Sequence, residues 1–264
     1  MSKAPDDVVR RAEERVEARG RRDFAAADRL RGEIAAAGWQ ITDGPDGFDL
    51  VPVPVRRAVS VIADVQSWPE DWNRFFASLT RQAQSFEAVE VIELVPGLGF
   101  AADRNAALPQ VEAEVVAFVD TSLELTGDLL GVLVAALDDP TVAVAGPYGL
   151  VSADLREYEE RTEGDVVAVQ SYCLAARRAD VVAVGGFRES FAFYRNADID
   201  LSLRLRTLGP ELRRAVAVGA EHCRRHAHRA WEETDPEERD RLSRKNMRRI
   251  LDRFAGRAAD LVVP

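Results

Sequence analysis

The stretch Glu114-Val115-Val116-Ala117-Phe118-Val119-Asp120-Thr121-Ser122, EVVAFVDTS, decides how this chain is read. Its unbroken apolar run, rich in β-branched valine, is too short for a free-standing helix and suits a strand buried on both faces. The aspartate that ends it puts a carboxylate where a parallel sheet receives its ligands, beyond the carboxyl ends of the strands. Working outward, AVSVIADV (58–65) and AVEVIELV (88–95) repeat the pattern upstream, and TVAVAGP (141–147) repeats it downstream. Helical periodicity fills the gaps: PEDWNRFFASLTRQA (69–83) with Pro69 in its first turn, AADRNAALPQV (101–111) after a glycine-rich turn, and TGDLLGVLVAALDD (126–139). This βαβαβαβ succession predicts an α/β domain with a mixed, mostly parallel sheet flanked by helices. VVAVQSYCLAARRADVVAVGGF (166–187) adds a strand and a helix, FAFYRNADIDLSLRLRTLG (191–209) follows, and a last strand near RRAVAVGAE (213–221) leads into EHCRRHAHRAW (221–231) and a terminal helix.

The first residues read differently. Val8, Val9, Ala12 and Val16 recur at helical spacing, Gly20 breaks the run, and Phe24, Ala27, Leu30 and Ile34 carry a second stripe. WQITDGPDGFDLV (39–51) then alternates around DGPDG, which predicts a small β-hairpin. The expected division is residues 1–54 for the helical and β-hairpins and 55–264 for the α/β domain.

Composition narrows the function classes. A chain of 264 residues that is 47% hydrophobic can bury one sizeable core and a small appendage. It has no run of about 18 apolar residues, its N-terminus is charged and helical, and two cysteines suggest no disulfide framework; a cytoplasmic protein is expected. A formal charge of −10 argues against general nucleic-acid binding, which needs a basic surface. The basic stretch RDRLSRKNMRRILDRFAGR (239–257) is either a solvated helix face or a surface for anionic headgroups or ligands.

Two resemblances follow from these motifs. RRDFAAADRLRGEIAAAGWQITDGPDGFDLV (21–51) carries a resemblance, over about Val9 to Val51, to the C-terminal helical segment of cysteinyl-tRNA synthetases, without any HIGH-type or KMSKS-type motif of their catalytic domain. The resemblance implies no aminoacylation; it leaves the hairpin as a packing surface for a protein partner or a second copy, with an RNA-facing role as the weaker alternative. VSVIADV, GLGFAADRNAAL, VVAFVDTSLEL, SYCLAARRADVVAVGGFRESF and YRNADIDLSLRLRTLG stand in the order found in family 2 glycosyltransferases of GT-A fold, over about residues 58–254.

That second resemblance implies a nucleotide-diphosphate-sugar donor, an acceptor the sequence does not name, and a divalent metal, manganese or magnesium. Asp120 matches the first acid of the family's D-x-D motif, and Ser122 stands where the metal-binding acid belongs. A neutral hydroxyl is a weaker ligand for a hard cation. Glu124 and Asp128 are poorly placed to substitute, so the compensating groups expected are His226 and His228, with Arg229 and Arg104. At a spacing of two the histidines share one side of an extended strand. On the nucleotide side the candidates are Asp64 and Glu93, which depart from the family's Pro-Thr-Tyr-Asn-like run and base-contacting aspartate, with Gly97, Gly99 and Arg104, Asn105 completing the family's R-N pair. On the acceptor side Asp198 matches the general base and Asp200 the trailing acid, with Ala197 in place of a glutamate; Gly185, Gly186 and Phe187 form the preceding turn, and Tyr194, Arg195 and Asn196 are candidate acceptor contacts. The expected activity is inverting sugar transfer with a degenerate D-x-D motif. The alternative is a non-catalytic nucleotide- or sugar-binding module, for which the losses at Ser122 and Ala197 speak.

Overall fold

The computed structural model describes residues 4–37, 39–44, 47–52, 58–83 and 86–263. They divide into two compact units, Met1–Val55 and Arg56–Pro264. In the first, helices α1 (Asp6–Gly20) and α2 (Phe24–Ala36) precede an antiparallel hairpin of β1 (Trp39–Gly44) and β2 (Gly47–Pro52). Val8, Ala12, Ile34, Trp39 and Ile41 form its core. The expected apolar stripes are shorter than read: Val16 is 41% and Phe24 62% exposed. The inward place near the end of α1 is taken instead by Arg15, whose guanidinium donates to both carboxylate oxygens of Asp43, at 2.7 and 3.2 Å. That fork holds the Asp43 carboxyl below its ordinary range. Part of the DGPDG turn, Pro45 and Asp46, lies outside the described residues.

The second unit runs β3 (Val59–Ala63), α3 (Pro69–Ala83), β4 (Val89–Glu93), α4 (Phe100–Ala107), β5 (Val115–Val119), β6 (Leu123–Leu125), α5 (Leu129–Asp138), β7 (Val142–Gly146), β8 (Gly149–Val151), β9 (Glu159–Arg161), β10 (Glu163–Val166), β11 (Ala168–Val169) and β12 (Cys173–Arg177). It continues with α6 (Arg178–Ala183), α7 (Ala197–Arg206), β13 (Arg214–Val218), β14 (Cys223–Arg225), α8 (Arg229–Glu233), α9 (Pro236–Phe254) and α10 (Ala258–Leu261). A seven-stranded sheet of order β10-β13-β7-β12-β5-β3-β4 is its frame, with β12 and β10 running against the other strands. β11-β8-β9 and β14-β6 make two smaller sheets.

Strand alternation divides the core between the two faces of the sheet. Val59, Val61, Ala63, Val115, Ala117 and Val119 point to the side covered by α3 and α5, where Phe75, Leu79, Leu129 and Leu133 meet them. Ile62, Val116 and Phe118 point to the other, against Phe187, Leu201, Leu203 and Ile250. Each fully buried Leu or Phe side chain contributes about 1.5–3 kcal/mol. α3 begins at Pro69 with Glu70 and Asp71 in its first turn and carries Arg81 in its last, each charge matched to the helix dipole. Its Ser78 hydroxyl accepts from Leu125 N–H at 3.0 Å, which ties the helix to β6 and fixes the segment that follows Asp120.

Candidate active site

Asp64 and Asp120 stand just past the carboxyl ends of the neighbouring parallel strands β3 and β5. Asp64 turns its carboxylate back on its own loop, accepting from Gln66 N–H and Ser67 N–H at 3.0 and 2.9 Å. Asp120 is placed more tightly. Its N–H donates to Tyr172 C=O at 2.9 Å, its Oδ1 accepts from Ser122 N–H at 2.8 Å, and its Oδ2 meets His228 Nε2 at 3.2 Å. Burial pushes the Asp120 carboxyl up, but the His228 hydrogen bond and charge, helped by Ser122, bring it below its ordinary value. Burial likewise disfavours a charged His228, and Asp120 outweighs it, so this imidazole is raised above its usual range. His228 Nδ1 accepts from Trp231 N–H at 3.2 Å and caps α8, so the neutral ring satisfies both contacts with its hydrogen on Nε2.

Ser122 itself does not face the cleft. It is 2% exposed, and its backbone, not its hydroxyl, serves the neighbours: N–H to Asp120 and C=O to His226 N–H. The two histidines also part company. β14 pairs with β6 in the register Arg225↔Leu123 and Arg224↔Glu124, and the strand ends at Arg225. Strand alternation therefore does not reach His228. His226 Nε2 sits 3.0 Å from Glu124, which it holds below its ordinary value, while His228 crosses to Asp120.

Two cavities meet at His228. One, of about 280 Å³, is lined by Asp64, Trp68, Phe100, Arg104, Asp120 and Glu233 among others. The other, of about 640 Å³, is lined by Ser171, Tyr172, Arg195, Asn196, Asp198 and Trp231 among others. His228 and Tyr194 line both, and their rings stack with centroids 4.6 Å apart at 26°. This stack is the partition between the two chambers. Trp68 Nε1 donates to Glu233 at 2.9 Å and joins the β3 loop to α8 at the smaller chamber.

Arg104 enters the smaller chamber from α4. Burial lowers it to about 10 against the pull of Asp120, Asp64 and Asp103. Its guanidinium lies 3.6 Å from the Phe100 ring centroid and donates to Phe100 C=O. Asp103 instead accepts from Gly97 N–H and Leu98 N–H, closing the glycine-rich loop on itself. Gly99, at φ +103°, faces Ala192: a Cβ in its place would stand 3.2 Å from Ala192 Cα, so the close neighbour is the chain's own backbone and not a ligand. Gly97 has a φ of +151° and open space around it, and Glu93 is exposed at the end of β4; both are outside the linings of the two chambers. Asn105 is a clamp: its Nδ2 donates to Phe187 C=O at 2.7 Å and its Oδ1 accepts from Phe187 N–H at 2.8 Å.

The larger chamber has Asp198 on its wall, 7% exposed, in the first turn of α7. Its Oδ2 accepts from Ser171 N–H at 2.9 Å and its Oδ1 from Ile199 N–H at 2.9 Å. Burial raises its carboxyl above the ordinary value, against those donors. Asn196 starts α7 in the left-handed region, φ 69°, and donates to Ser243 C=O. Asp200 is elsewhere. Two residues along a helix turn by about 200°, so Asp200 points into the interior at 0% exposure and pairs with Arg204 at 2.7 Å, with Arg188 at 3.6 Å.

Other lining residues were not legible beforehand. Ser171 and Tyr172 link the two acids, the first donating to Asp198 and the second accepting from Asp120; only the antiparallel insertion of β12 beside β5 brings them there. Trp231, Arg156 and Arg244 complete the larger chamber. The signal that could have marked Trp231 was its place beside the histidine cluster, in HRAW.

Residues 77–199 match the model of the family described as Glycosyl transferase family 2. Two curated cysteine–tRNA ligases match a short N-terminal stretch: that of Opitutus terrae is 49% identical over 51 residues, and that of Granulibacter bethesdensis 49% over 43. These stretches are 19% and 16% of this chain and only 11% and 9% of those proteins. Among solved structures, GalNAc-T7 with UDP, GalNAc and Mn2+ superposes with a TM-score of 0.56 at 11% identity, over 81% of this chain and 51% of that one. The mannosyltransferase PcManGT from Pyrobaculum calidifontis, with GDP-Man and Mn2+, gives 0.50 at 16%, over 84% and 81%. The catalytic domain of Drosophila β1,4-galactosyltransferase 7, with xylobiose, gives 0.51 at 14%, over 72% and 80%. At such identities the likeness establishes the fold. Residues 77–199 are thus similar to glycosyl transferase family 2, and the second unit has the fold of the GT-A glycosyltransferases.

Proposed function

We propose that the protein transfers a sugar from a nucleotide-diphosphate-sugar donor to an acceptor hydroxyl. The observation that carries the reading is the divided cleft: Asp120 and Arg104 in one chamber, Asp198 in the other, and the His228–Tyr194 stack between them. The donor's diphosphate lies in the smaller chamber, where Arg104 supplies positive charge and His228 Nε2–H a hydrogen-bond donor. The acceptor lies in the larger one. Asp198 takes the proton of its hydroxyl as that oxygen bonds to the anomeric carbon; the bond from that carbon to the diphosphate oxygen breaks, and the nucleoside diphosphate leaves with the electron pair. Attack opposite the leaving group inverts the anomeric carbon.

A divalent ion fits the donor chamber as a two-ligand site, Asp120 Oδ2 and His228 Nε2, with the remaining positions left to diphosphate and water. Among the described residues no set of three or more His, Cys, Asp or Glu gathers there. The ring hydrogen on Nε2 must move for that nitrogen to become a ligand, at the expense of the Trp231 cap. When bound, the ion would offset charge on the leaving diphosphate, worth several kcal/mol. Ser122 and His226 are not part of this set.

The test is a thermal-shift and hydrolysis screen of nucleoside diphosphates and their sugars, each with manganese, magnesium or chelator. A nucleoside diphosphate that stabilises the protein, and a nucleotide sugar it turns over, support transfer; no binding at millimolar concentration in any arm refutes it. A second reading, a non-catalytic binding module, draws on Asp120, whose two oxygens are already engaged by Ser122 and His228, and on Ala197 at a position where the family has an acid. Nucleotide binding with no turnover of any donor favours that module.

A further inference from the structure

Three guanidinium groups converge on the larger chamber from separate parts of the chain: Arg156 from the loop after β8, Arg195 just before α7, and Arg244 from α9. Among the described residues none of the three makes a salt bridge, although the backbone N–H and the charge of Arg156 help hold Asp154 below its ordinary value and Arg244 also borders a surface hollow with Asp235, Glu237, Glu238 and Asp240. Elsewhere in this unit Arg204 pairs with Asp200, Arg213 with Asp180, Arg225 with Glu160 and Arg241 with Glu238. In a chain of 45 acidic and 35 basic residues, this cavity reverses the balance, with three arginines against two carboxylates, Asp198 and Glu232, in its lining. Like charges brought together raise each other's energy unless an anion joins them.

The two acids on the same wall do not neutralise them. Asp198 is buried and gives both oxygens to backbone N–H groups, and the cation recorded nearest to Glu232 is Arg229, at 4.0 Å. Arg195 is also held in place. Its guanidinium lies 4.7 Å from the Trp231 ring centroid, and Arg239 lies 4.0 Å from the same ring while donating to Trp231 C=O at 2.8 Å. A guanidinium stacked on a ring keeps its in-plane N–H donors available, the arrangement suited to a phosphate oxygen pair.

We infer that the acceptor carries a phosphate monoester, bound by Arg156, Arg195 and Arg244, which places its hydroxyl at Asp198. This rests on the transfer reading above. A phosphate in the larger chamber is separated from the donor diphosphate by the His228–Tyr194 stack, so the two anions occupy different chambers.

The test uses the full chain and four probes: glycerol, glycerate, glycerol 3-phosphate, and lysophosphatidic acid in detergent, a lipid phosphate monoester that keeps a free hydroxyl, titrated by calorimetry with and without a nucleoside diphosphate. Glycerol 3-phosphate should bind at least about tenfold tighter than glycerol, a difference of 1.4 kcal/mol, and should not be displaced by the nucleotide. The double variant Arg195→Gln/Arg244→Gln should lose about that tenfold while binding the nucleoside diphosphate as before, which also shows that it folds; Arg156→Gln alone should lose part of it. Lysophosphatidic acid binding tighter than glycerol 3-phosphate, with the same arginine dependence, assigns the phosphate to a lipid, and the opposite order to a soluble acceptor. Equal binding of glycerol or glycerate, or a double variant that binds glycerol 3-phosphate unchanged, overturns the inference. Failure of the nucleoside diphosphate to bind refutes transfer instead, and the phosphate arm is read independently of it.

Discussion

Asp198 and Asp200 differ by two positions in one helix, and that rotation puts the first on the chamber wall and the second in the interior. Asp198→Asn should lower the transfer rate by about 10²- to 10⁴-fold, the usual worth of a general base, with nucleoside diphosphate affinity unchanged in the same preparation. Asp200→Ala should do the opposite. It leaves Arg204 buried without its carboxylate and should cost about 3–5 kcal/mol in denaturant unfolding. The pH dependence of Asp198 has two signs. Its folded-state carboxyl is raised by burial, so its contribution to stability is present below the ordinary value of 3.8 and is lost as pH rises through the raised value. As a base it must be charged, so kcat/KM should rise with pH over that same window, with an acid limb above 3.8. An acid limb at or below 3.8, measured with saturating donor, would remove Asp198 from the proton transfer.

At the scale of elements, the strands and their bounding acids were legible because apolar runs and β-branching report directly on burial. EVVAFVD became β5, PEDWNRFFASLTRQA became α3, and Asp120 lies where the sequence put it, past a strand end. What stayed hidden depends on contacts between distant segments. β12 reads as one more apolar strand, and nothing in its composition says that it runs antiparallel between β5 and β7 and carries Ser171 and Tyr172 to the two acids. The glycine-rich loop was misleading for a related reason. Glycines permit close approach of any backbone, and at Gly99 the neighbour is Ala192. The same region gives a clean test through Asn105, which satisfies both backbone groups of Phe187. Asn105→Ala strands a donor and an acceptor and should cost about 1–3 kcal/mol; an unfolding midpoint equal to that of the parent protein would show that Phe187 finds other partners.

At the scale of the whole molecule, the chain joins two units with separate cores, and the residues around both chambers, from Asp64 to Met247, belong to Arg56–Pro264. The first unit packs Val8, Ala12, Ile34, Trp39 and Ile41 among themselves and pins its hairpin with the Arg15–Asp43 fork, so its stability has its own source. On the proposed reading the residues that act in the cleft all belong to the second unit. A chain beginning at Arg56 should bind nucleoside diphosphates with the affinity of the full protein, measured by calorimetry in matched buffers. Arg15→Ala in the full chain removes a guanidinium that is 5% exposed and should destabilise the first unit without altering that affinity. A loss of nucleotide binding in either protein would mean that the N-terminal unit acts on the cleft and that its likeness to the cysteine–tRNA ligase segment marks a functional element, not an independent appendage.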